Sequence, residues 1–153
     1  MISELDRIFD QFQRAFDGDA WHGPPLMKLL SETSADEAYD RPLKSRHTIW
    51  ELTLHIAAWK GEVTKALRGE TFRILEPEQN WPPVESADEE AWREAKAMLR
   101  RVHGELIEAL KGFDGARFDK KVKGAPFTFY VILHGLVQHD LYHAGQIAIL
   151  RRK

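Results

Sequence analysis

Apolar residues recur every three to four positions over residues 2–16, where Ile2, Leu5, Ile8, Phe9, Phe12 and Phe16 share one face. This spacing predicts a first amphipathic helix. Gly18 and the stretch His22-Gly23-Pro24-Pro25 interrupt it, a short apolar turn from Leu26 to Leu30 resumes it, and a polar segment follows to Arg46. A second helix opens at Thr48-Ile-Trp-Glu51, where hydroxyl and carboxylate can each satisfy an orphan backbone donor. Its stripe is Leu52, Ile56, Trp59, Val63, Ala66 and Leu67, and it stops at Gly69.

Pro77, Pro82 and Pro83 exclude a continuous helix over residues 70–85. A second capping box, Ser86-Ala-Asp-Glu89, is expected to open a charged third helix whose inner face carries Trp92, Leu99, Leu106 and Leu110. It ends near Gly112, and Phe118 to Val122 reads as a short extended strand. Pro126 suits the first turn of a fourth helix that runs to about Arg151. That helix is apolar around much of its circumference, through Phe129, Ile132, Leu133, Leu136, Val137, Leu141, Ile147 and Leu150. Such a helix is central or lies in a subunit interface. The expected fold is all-α, a four-helix bundle formed by one domain over residues 1–153.

Composition narrows the function. The chain has 43% hydrophobic and 30% charged residues and a net charge of -2, an ordinary globular balance without the basic excess of a nucleic-acid binder. Arg151-Arg152-Lys153 reads as favourable charge at a helix C-terminus. The absence of cysteine removes disulfides, thiolate ligands and a cysteine nucleophile together, so any thiol chemistry needs a thiol brought in as substrate. The opening residues, with acids at Glu4, Asp6 and Asp10, do not read as a signal peptide. No run approaches a membrane span, and a cytoplasmic location is expected.

Three histidines stand out against this background. His139 and His143 lie one turn apart on the stripe of Leu136, Ile147 and Leu150, a spacing that can present two imidazole nitrogens to one metal. His55 flanks the stripe of the second helix. It sits roughly 10 Å from that helix's start, whereas His143 and His139 sit roughly 12–18 Å from the end of the fourth. The rings meet best if these two helices run antiparallel. That arrangement requires a crossover, and residues 70–85 can reach roughly 50 Å when extended. Without a metal, the same residues would form a satisfied structural cluster. No carboxylate shares these stripes, which disfavours a di-iron arrangement.

The other polar candidates fit such a site less well. His134 falls on the far face of its helix, His47 precedes the Thr48 cap, and His103 is on the charged third helix. His22 belongs to a loop that could line the mouth of a site. Asp140 could orient a ligand histidine or face a neighbouring helix, and Tyr142 is a further candidate base. Trp50, Trp59, Trp81 and Trp92 read as core or linker plugs, any of which could wall a pocket.

Thr48-Ile-Trp-Glu-Leu-Thr-Leu-His-Ile-Ala-Ala-Trp59 and Gln138-His-Asp-Leu-Tyr-His-Ala-Gly-Gln-Ile147 resemble the two signature segments of the DinB/YfiT-like superfamily, as do His22-Gly-Pro and Trp81-Pro. The resemblance implies an up-down-down-up bundle with a long crossover between helices 2 and 3. It carries the family's metal-binding histidines onto His55, His139 and His143. It also implies a divalent metal, nickel or zinc first and iron or manganese next, and a homodimer, which the apolar fourth helix would suit. Activity is left open. Some relatives are thiol-dependent transferases or isomerases acting with a low-molecular-weight thiol, and many have no assigned activity. A metal-dependent enzyme acting on a small molecule, by transfer or hydrolysis, therefore stands beside a non-catalytic module, either a stress-related metal or ligand binder or a dimeric interaction protein. Neither a nucleic acid nor a membrane is an expected partner.

Overall fold

The computed structural model describes residues 2–151, so Arg152 and Lys153 of the basic terminus lie outside the described residues. The described chain is all-helical: α1 (Glu4–Phe16), α2 (Leu26–Ser31), α3 (Ala35–Tyr39), α4 (Ile49–Leu67), α5 (Pro77–Asn80), α6 (Glu89–Lys111) and α7 (Phe129–Leu150), with a 3-10 turn at Gly115–Arg117. No helix among the described residues is long and apolar enough to cross a membrane.

The helix starts have identifiable chemical causes. Thr48 and Glu51 form the expected reciprocal cap, with Glu51 N to Thr48 Oγ1 at 3.1 Å and Thr48 N to Glu51 Oε2 at 2.8 Å. Gly69, at φ 91°, supplies the left-handed residue that ends α4. Two expected starts are corrected. At α6 the cap is Asp88, whose Oδ1 accepts from Ala91 N, and not Ser86. Asp88 lies directly before the first helical residue, which frees Glu89 to accept instead from Ala35 N at 2.9 Å and tie α6 to α3. Helix α7 starts at Phe129 behind a Thr128 cap, and Pro126 lies in the preceding turn. The stretch Phe118–Val122 forms no strand; a single bridge joins Lys121 to Thr128.

The apolar stripes close into two clusters. One gathers Leu26, Leu30, Trp50, Ile56, Trp92, Leu99 and Ile147; the other gathers Ile8, Phe12, Val63, Leu106, Leu110, Phe129, Leu133 and Leu136. Neither depends on the three histidines. Helix α4 packs mainly on α6 and α7, and α1 packs on α7 and α6. Along α4, His55 meets His143 and His139, and Lys60 meets Asp140. Along α6, Trp92 meets Trp50 and Val102 meets Gly61. Residues 68–88 carry the chain between these two helices and bring α5 and Trp81 against α4.

Candidate metal centre

His55 and His143 are buried and His139 is half-buried, all on the packed faces of α4 and α7. Their rings converge. His139 Nε2 stands 3.0 Å from His55 Nε2 and 3.1 Å from His143 Nε2, and one ligating atom from each residue lies within 4.8 Å of the others. Nitrogens that share one ion at roughly 2.0–2.1 Å stand roughly 3 Å apart. The spacing therefore suits a common cation.

Hydrogen bonding fixes which nitrogens are bare. His55 Nδ1 lies 2.8 Å from the backbone oxygen of Asn80, which can only accept, so that nitrogen carries the proton. His143 Nδ1 donates in the same way to Gln146 Oε1 at 2.6 Å. Neutral His55 and neutral His143 thus both turn an unprotonated Nε2 toward His139 Nε2. A single N–H on His139 can serve only one of them well, whereas a cation serves all three lone pairs. Oriented imidazoles of this kind are the usual support of a metal ligand. His139 departs from that pattern, since its Nδ1 is buried without a hydrogen-bond partner among the described residues.

Burial keeps these rings neutral. It pushes His55 down to about 4, assisted by the neighbouring His143 and His47 and opposed by the Asn80 hydrogen bond. It pushes His139 down to about 3, with further lowering from His143, His55 and Lys60. Burial lowers His143 as well. At neutral pH the site therefore offers lone pairs without first losing protons.

Aromatic rings flank the cluster. Trp81 lies flat between two imidazoles, 3.9 Å from His55 and 3.4 Å from His47, with both pairs of planes within a few degrees of parallel. Trp59 meets His55 and His139 edge-on, and its indole N–H is taken by Asn80 Oδ1 at 2.8 Å. A cleft of about 640 Å³ opens from the three histidines between α4, α7 and residues 72–80, walled largely by apolar side chains. A second cleft of about 390 Å³, reaching Arg46 and His47, meets it at Tyr142 and His143.

The remaining candidates sit elsewhere. Asp140 faces α4, where it pairs with Lys60 inside the protein, and one of its oxygens has no hydrogen-bond partner among the described residues. Burial raises its pKa against the opposing pull of Lys60. It lines neither cleft, so it is not positioned as a base there. Tyr142 lines both clefts and is mostly exposed. His134 pairs with Glu4 of α1 at 2.9 Å, and His22 is exposed on its loop. His103 is buried, stacked 3.6 Å from Phe16, and not on the solvated face that its charged helix suggests. The reading from sequence also missed Asn80 and Gln146. Gln146, three residues beyond His143, was detectable by helical spacing; a backbone carbonyl such as that of Asn80 leaves no signal.

An all-helical scaffold with three inward imidazoles that can hold a metal ion defines the class of protein. A family model described as the DinB superfamily matches residues 21–147, and the chain belongs to that superfamily. Searches of curated proteins and of solved structures returned no match.

Proposed function

We propose that the protein binds a divalent metal through the Nε2 atoms of His55, His139 and His143 and uses it as an enzyme acting on a small molecule in the adjoining cleft. The single observation that carries this reading is the convergence of two imidazoles with bare Nε2 atoms on a third, at 3.0 and 3.1 Å, where the apolar cleft begins. Such an ion, held by neutral ligands alone, supplies Lewis acidity and lowers the pKa of a bound water or thiol. The chain's own residues contribute position. Asn80 and Gln146 hold two rings in the ligating tautomer, and Trp81 covers the face of His55.

The same proposal includes thiol S-transfer to an electrophile as one reaction of this type, the thiol arriving as co-substrate because the chain has no cysteine. It also includes the up-down-down-up bundle order. Partners of successive α4 residues step backward along α7, from His143 beside His55 to Asp140 beside Lys60, while they step forward along α6. Titrating the metal-free protein with zinc and with nickel, then assaying a thiol with a panel of electrophiles, tests the reading. Stoichiometric uptake and metal-dependent turnover are expected; uptake equal to that of a triple histidine-to-alanine variant sinks it.

A further inference from the structure

We infer that the cleft selects a neutral, apolar ligand, and that Gly135 is the residue that keeps room for it. The inference rests on the reading of this cleft as the substrate side of the site. None of its lining residues is Asp, Glu, Lys or Arg. Trp59, Phe72, Phe127, Ile132 and Leu136 form most of the wall, and the one indole donor among them is spent on Asn80. A carboxylate or phosphate lodged among these walls, away from the three histidines, would give up water without meeting a charged side chain, a cost that disfavours it. A flat hydrocarbon loses nothing comparable. The volume, about 640 Å³, falls within the range of small-molecule sites.

Gly135 adds an independent observation. It lies inside α7, where glycine is a poor helix former, and a Cβ built on it meets nothing within 4 Å. Packing does not demand a glycine there. What a side chain at this position would do is occupy the cleft. The second cleft contrasts with the first, because Arg46 and His47 line it.

The test uses 2-naphthol and 2-naphthoate as a matched pair, bound to metal-free full-length protein and followed by calorimetry. Naphthol is expected to bind at least tenfold more tightly than naphthoate. Gly135→Leu should weaken naphthol at least tenfold while melting no lower than the parent, and Val131→Lys at the cleft wall should shift preference toward naphthoate. Equal or tighter naphthoate binding by the parent overturns the inference, as does undiminished naphthol binding by Gly135→Leu. Self-association through this face, lost in Gly135→Leu, would overturn it by making a second copy the occupant. A parallel zinc titration separates the two claims, since failure of metal uptake leaves the metal-free selectivity measurement intact.

Discussion

Trp81 and His55 stack face to face, with ring centres 3.9 Å apart and planes 4° from parallel. The indole comes from the segment between α4 and α6 and the imidazole from α4, so a loop residue fixes the plane of a candidate ligand. Trp81→Ala should leave the fold intact and weaken zinc binding by about tenfold, the scale on which outer partners of a metal ligand act. Competition against a chelator measures it; unchanged affinity would show that the stack orients nothing.

His139→Ala should abolish stoichiometric zinc uptake, because it removes the nitrogen on which the other two converge. Gln146→Ala should weaken uptake only partly, since it frees the His143 tautomer without removing a ligand. Elemental analysis of the purified variants gives the comparison. Equal loss in both would point to unfolding and not to ligation.

Removing the metal should lower the melting temperature by several degrees without unfolding the protein. Two apolar clusters form without the histidines, and a ligand at a hundred times its dissociation constant adds only about 2.7 kcal/mol. Circular dichroism of chelated protein reports this directly. A chain that loses its helices on chelation would hold a structural ion instead.

Lys60 and Asp140 are 0% and 1% exposed, so removing either leaves a buried charge alone. Lys60→Met should cost roughly 3–5 kcal/mol in urea unfolding, and the double variant Lys60→Met with Asp140→Leu should recover most of it. A double variant no more stable than the single one would show that the pair is not the source of the loss.

His103 should make the protein acid-sensitive. Burial, with a lesser push from Lys60, holds it at about 3, whereas an unfolded histidine titrates near 6.5. Below about pH 6.5 the unfolded chain therefore binds the extra proton, and stability present above that pH is lost as pH falls toward 3. His103→Leu should remove about 2 kcal/mol of the parent's loss between pH 7 and pH 5. Parallel denaturation curves for the parent and the variant would show this, and identical slopes would refute it.

Much of the scaffold was legible because α1 and α6 each bury one regular stripe, and Thr48-Glu51 announces α4 in four residues. The three histidines were legible for the same reason, as polar residues on apolar faces. What escaped the sequence depends on competition or distance. Ser86 and Asp88 are both good caps, and only packing decides between them. Thr128 outcompeted Pro126 in the same way. The Lys60–Asp140 pair joins residues eighty positions apart, and each alone resembles an ordinary surface charge. His103 lies on a charged helix, yet its ring turns inward against Phe16.

That ion pair also acts as a mechanical detent between α4 and α7. Both helices are greasy where they touch, and grease alone would tolerate slippage by a turn. Slippage would strand an ammonium and a carboxylate in hydrocarbon, so one setting is heavily favoured. In that setting His55, five residues before Lys60, comes level with His139, the immediate neighbour of Asp140.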